Sequence, residues 1–148
     1  FSREQGFGPE VKQRILLGTY VLSSGYQDAY YKKAQKIRTL IIEEYHQAFK
    51  QCDIVLMPVS PGQAFELSAI SDPLEMYLQD LYTISANLAG LPAISIPVGT
   101  NNNGLTFGIQ VLGPQRKDGR VLHFAHQFEK ALNLVNFISP LFDKEIST

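Results

Sequence analysis

Three features of the sequence predict an α/β fold. Apolar residues recur at helical spacing along several stretches. Short β-branched runs are bounded by Pro, Gly and Asn. The two kinds of segment follow one another in the order ααβααββα.

The first helix is expected in "PEVKQRILLGTYVLSSG". Pro9 suits a first helical turn and Glu10 the positive helix start. Val11, Ile15 and Leu22 lie on or near one face, and Gly25 is placed to stop the helix. The second helix, "DAYYKKAQKIRTLIIEEYHQAFKQCD", is the most regular. Ala34, Ile37, Ile41, Tyr45, Ala48 and Cys52 follow steps of three and four, with Asp28 positioned to cap the start. "DIVLMPVSP" then predicts a short buried strand ended by Pro58.

In "SDPLEMYLQD" Asp72 as N-cap, Pro73 in the first turn and Glu75 at the third position form a capping-box pattern. "LYTISANLA" predicts another short helix. "AISIPVG" and "LTFGIQVLG" predict two strands, separated by "TNNNG", whose Asn and Gly residues tolerate left-handed turns. "DGRVLHFAHQFEKALN" closes the pattern as a helix with Val121, Ala125, Phe128 and Leu132 on one side.

At 148 residues, 45% hydrophobic and 18% charged, the chain is long enough for one cored domain. A formal net charge of −1 supplies none of the basic excess expected of a nucleic-acid reader. Cys52 is the single cysteine, so an internal disulfide is excluded and a reducing compartment fits. No apolar run reaches the roughly 20 residues that cross a bilayer. "FSREQGFGPE" lacks signal-peptide features and an initiator Met, so the chain is expected to be a piece of a longer protein.

Residue types that could carry chemistry are few. Ser23 and Ser24 in "LSSGY" read as a helix end, because no base or oxyanion loop stands near them in sequence. His123 and His126 are three apart on a helix without a second ligand pair, and His46 stands apart from both, so no metal set is formed. "YYKKAQK" mixes aromatics with lysines, but Glu43 and Glu44 follow, as on a solvated helix face. "GLTFGIQVLG" lacks the Lys-Ser/Thr ending of a phosphate loop. The residues by themselves describe a soluble, cytosolic α/β domain without a visible catalytic apparatus.

The blocks "EVKQRILLGTYVLSSGYQDAYYKKAQKIRTLI", "DPLEMYLQDLYT", "NLAGLPAISIPVG" and "FGIQVLGPQRKDGRVLHFAHQFE" together resemble the amidase signature family. The first block carries the narrower likeness, to the A subunits of the glutamyl-tRNA(Gln)/aspartyl-tRNA(Asn) amidotransferases. The likeness implies that residues 1–148 are the C-terminal part of a single amidase domain, with a mixed central sheet covered by helices. It implies that "NLAGLPAISIPVG" enters that sheet beside the active-site cavity. Gly90 and Pro92 would allow the abrupt change from helix to strand, and the lack of charge fits a strand covered on both faces.

The family's Ser–cis-Ser–Lys triad has no counterpart in these residues. Catalytic residues are therefore expected outside this chain, which by itself is expected to be inactive, and to expose apolar surface where the sheet would continue. A share of a glutamine pocket is what the resemblance implies for the residues present. Arg14 in "VKQRI" matches the arginine that holds the substrate carboxylate, and Asp80 in "MYLQDLYT" the aspartate that receives the ammonium. The implied reaction is hydrolysis of glutamine to ammonia, for amidation of Glu-tRNA(Gln) and Asp-tRNA(Asn). No metal or cofactor is expected in this chain; ATP and Mg would act through a partner. The implied partners are amidotransferase subunits B and C, with tRNA contacted mainly through a partner and no membrane involved. Two other readings stand beside this one: a general amidase acting without partners, and a non-catalytic interaction domain.

Overall fold

The computed structural model describes residues 5–23, 25–66 and 72–133. These fall into two compact units, Phe1–Leu40 and Ile41–Thr148.

In the first unit, helix α1 spans Pro9–Val21, with Pro in its first turn and Glu10 at its positive end. Its C-terminal side is closed as expected. The Ser23 hydroxyl donates to the Tyr20 carbonyl at 2.7 Å, and Gly25 takes φ 91°, which glycine adopts without a Cβ clash. Ser24 lies outside the described residues. Asp28 does not cap the next helix. It sits inside a π-helical turn, Gln27–Tyr31, and pairs with Lys32, because the chain is already helical when it reaches this position. The Tyr20 and Tyr26 rings meet here at a tilt of 35° with centroids 4.3 Å apart. The hydrogen bond with Tyr26, then desolvation and Tyr30, hold the Tyr20 hydroxyl above its ordinary titration range.

Helix α2, Lys32–Ala48, ends in the second unit, where Ile41, Tyr45 and Ala48 form its half-buried stripe. Ala34, Ile37 and Cys52, expected on that stripe, are exposed; Ile42 and Phe49 are half-buried instead. The periodicity located the stripe but not its ends, since a helix buries only the length that something covers.

Strands β1 (Val55–Pro58), β2 (Ala93–Thr100) and β3 (Thr106–Leu112) form an antiparallel sheet in the order β1-β3-β2. Opposed residues share a face, so the register settles what each face carries. Ile94 meets Val111 and Ile96 meets Ile109 on one face, while Ser95 and Met57 flank Gln110 on the other. Two expectations are corrected by this order. β1 is not buried: it alternates half-buried with exposed, Leu56 among the exposed, because it lies at an edge of the three strands. β2 is not covered on both faces: Ala93 and Ser95 are exposed opposite the buried Ile96. Cover on both faces belongs to β3, where Gln110, Val111 and Leu112 are all buried. Pro58 and Pro97 fall on the two outer strands, where a missing N–H costs least.

Among the described residues, two short helices stand between β1 and β2. Asp72 caps α3 (Pro73–Leu78) as expected, accepting from the Leu74 N–H at 2.8 Å. α4 (Ile84–Ala89) ends at Gly90, whose φ of 64° and ψ of 42° are left-handed. The Leu91 N–H reaches back to the Ala86 carbonyl and the Gly90 N–H to that of Asn87, which completes a Schellman closure. Gln115 then donates to the carbonyl of Ala89, the last helical residue, at 2.7 Å. The uncharged Ala-Gly-Leu-Pro run is thus a helix end that turns into a strand within three residues, the role its composition predicts.

Helix α5, Asp118–Ala131, lays Val121 and Ala125 over Ile96 and Val111, with Ile54, Ile94, Phe124 and Phe128 packed around them. Leu132, expected on this side, is exposed, while Phe124, which was not expected there, packs against the core. The helix stops at Ala131, so Leu132 no longer follows its periodicity.

Gly113 sets how closely α5 approaches the sheet. A Cβ at this position would lie 2.5 Å from Val121 Cγ2, and Val121 is itself buried. Gly113→Ala is expected to destabilise the second unit by about 1–3 kcal/mol through overpacking. Urea denaturation checks this, and an unchanged midpoint would show that the helix can back away freely.

Large apolar side chains are exposed in both units, Leu16 and Leu17 in the first and Leu74, Leu81 and Leu122 in the second. Among the described residues no helix is long and apolar enough to cross a membrane.

Candidate functional site

Asp80 sits in the turn between α3 and α4 with its side chain at the surface. Its backbone is held firmly: the Asp80 carbonyl accepts from the N–H groups of Thr83 (3.1 Å) and Ile84 (3.0 Å) and from the Thr83 hydroxyl (3.3 Å). Asn87 Nδ2 donates to the Thr83 carbonyl at 2.9 Å, tying the turn into α4. These bonds fall between residues close in sequence, and the sequence favours them: Thr and Asn readily bond nearby backbone groups.

Three further bonds come from far along the chain. Gln110, in the middle of β3 and 4% exposed, donates from Nε2 to the Tyr82 carbonyl at 2.7 Å and to the Pro58 carbonyl at 3.2 Å. The Tyr45 and Ser85 hydroxyls meet at 2.8 Å, joining α2 to the start of α4. Beside them is a groove of about 310 Å³ lined by Thr83, Asn87, Leu91, Ser95 and Gln110 among others. Its polar lining consists of neutral amide and hydroxyl groups.

Arg14 lies in the first unit, on α1, where its Nε donates to Glu10 Oε1 at 2.8 Å. Both side chains are more than half exposed, and the pair spans one helical turn. Such an ion pair contributes only about 0.3–0.5 kcal/mol.

The remaining candidates occupy plain positions. Ser23 serves the end of α1, and His46, His123 and His126 are exposed. Among the described residues no three His, Cys, Asp or Glu side chains gather as a metal would require. Sequence reasoning missed Gln110, although a lone amide inside the apolar run "FGIQVLG" is a visible signal that something must satisfy it. Nothing in the sequence announced the Tyr45–Ser85 contact, forty residues apart.

Residues 1–122 match the Amidase family. The A subunit of glutamyl-tRNA(Gln) amidotransferase from Protochlamydia amoebophila is 59% identical over 147 residues, which is 99% of this chain and 30% of that protein. The protein of the same name from Halothermothrix orenii is 52% identical over 133 residues, 90% of this chain and 28% of its own length. The crystal structure of the corresponding glutamyl-tRNA(Gln) amidotransferase A subunit from Thermotoga maritima superposes with a TM-score of 0.69 at 46% identity, covering 87% of this chain and 29% of that one. A crystal structure described as an amidase gives a TM-score of 0.64 at 26% identity, over 88% of this chain and 30% of the other. The chain therefore spans 30% or less of the length of these relatives. With its strands, helix ends and family match in agreement, the chain belongs to the amidase family.

Proposed function

We propose that this chain is the C-terminal part of the A subunit of a tRNA-dependent amidotransferase, and that it supplies the two residues that grip the ends of free glutamine. The observation that carries this reading is the 59% identity extending over 99% of the chain to a protein of that name. Likeness to the structure described only as an amidase falls to 26%, which favours the transamidating branch.

Arg14 would take the α-carboxylate, since a guanidinium presents a planar fork of donors matched to two oxygens. Asp80 would take the α-ammonium. Its exposed carboxylate stands on a turn whose backbone is tied down, so little ordering remains to be done on binding. Held at both ends, glutamine presents its side-chain amide to a nucleophile supplied by the part of the amidase domain that this chain does not span. The ammonia released would pass to subunits B and C in the cytoplasm. ATP and Mg would act in one of these partners, which activates the Glu of Glu-tRNA(Gln), or the Asp of Asp-tRNA(Asn), before amidation.

The test is reconstitution. The complete glutaminase subunit carrying this sequence, assembled with subunits B and C, is expected to convert Glu-tRNA(Gln) to Gln-tRNA(Gln) with glutamine as nitrogen donor. The 148-residue chain alone is expected to release no ammonia from glutamine above a heat-killed control, because its sequence holds no counterpart of the Ser–cis-Ser–Lys triad. Hydrolysis of simple uncharged amides by the complete protein, with no glutamine-dependent amidation, would place it among the general amidases instead.

A further inference from the structure

We propose that Gln110 is the positioning residue for Asp80, an inference that rests on the glutamine-binding reading above. The bonds around Asp80 run between residues close in sequence, so they hold the turn's shape but not its place against the sheet. Its place is set by the Gln110 side chain, which rises from β3 and donates to the carbonyl of Tyr82, two residues beyond Asp80. The same amide donates to Pro58 at the end of β1, so one side chain ties the Asp80 turn to two strands.

The chemistry of the site selects glutamine. Both partners are carbonyl oxygens, so the group between them must bring two donors and no negative charge. A primary amide nitrogen does this, while a glutamate of the same length would set a carboxylate against two acceptors. Gln110 is 4% exposed, and water has little access to replace the lost bonds. The Tyr45–Ser85 bond holds the start of α4, beyond the turn, while the Gln110 bond holds Tyr82, which is nearer to Asp80 in the chain.

The experiment uses the complete amidotransferase and the variant Gln110→Met, which keeps the volume and removes both donors. Loss of neutral hydrogen bonds of this kind corresponds to about three- to tenfold in an equilibrium. KM for glutamine is therefore expected to rise by about that factor with kcat and ammonium-supported amidation nearly unchanged. Gln110→Glu is expected to behave alike or worse. A variant with merely weakened folding would instead lose both activities together, and thermal unfolding of each variant separates this case. Asp80→Ala is measured in parallel. If Asp80→Ala leaves glutamine use intact, the glutamine-binding reading itself fails. If Asp80→Ala impairs glutamine use but folded Gln110→Met keeps the wild-type KM, the positioning role is overturned while that reading stands.

Discussion

Arg14→Ala and Asp80→Ala are each expected to lower glutamine-supported amidation by about ten- to a hundredfold while sparing amidation supported by ammonium salt. A hydrogen bond to a charged group is worth about 1.5–3 kcal/mol, and each 1.4 kcal/mol is tenfold in equilibrium. On the proposed clamp, removal of either side chain would strand one charged end of glutamine. The proposed clamp gives neither residue a part in the steps after ammonia release, so an external nitrogen source should bypass both. Parallel assays of the assembled enzyme with the two nitrogen donors read the split directly. Equal loss with both donors would point to a folding or assembly role.

Ile96→Ala is expected to destabilise the second unit by about 2–5 kcal/mol, the cost of removing a large aliphatic side chain from a packed core. Ile96 is 1% exposed and sits where β2, β3 and α5 converge, against Val111, Val121 and Ala125. The cavity would be lined from two strands and a helix, so no single element can close it by a small shift. Leu122→Ala serves as the control. Leu122 follows Val121 on the same helix but is 58% exposed, and surface changes of this sort usually stay within about 0.5 kcal/mol. Denaturation midpoints of the two variants should differ widely. Similar midpoints would mean that α5 does not pack on the sheet through Val121 and Ala125.

Much of the secondary structure was legible because each element's signal is local. Asp72 before Pro73 marked the start of α3, Gly90 marked the end of α4, and the Asn-rich turn marked the hairpin of β2 and β3. What misled was burial, which is set by neighbours distant in sequence. "DIVLMP" and "AISIPVG" are as apolar as a central strand, yet both lie at the outside of the three strands, and β3 between them takes the double cover. The same limit applies to the candidate site. Composition and spacing offered no reason to select Arg14 or Asp80 from the other charged residues; family likeness alone singled them out. Gln110 was open to inference as an amide in an apolar run, but its partners, Tyr82 and Pro58, are fixed only by the fold.

The most direct measurement pairs each variant with a substrate that lacks the matching end. Glutaramate has the carboxylate and side-chain amide of glutamine without the α-ammonium, and 4-aminobutanamide has the amine without the carboxylate. With the assembled enzyme, kcat/KM for ammonia release is measured for glutamine and both analogues in wild type, Arg14→Ala and Asp80→Ala. The clamp predicts that Asp80→Ala loses about ten- to a hundredfold on glutamine but almost nothing on glutaramate, and that Arg14→Ala does the same for 4-aminobutanamide. Equal losses on the intact and truncated substrates would contradict it, because a residue cannot be holding a group the substrate does not have.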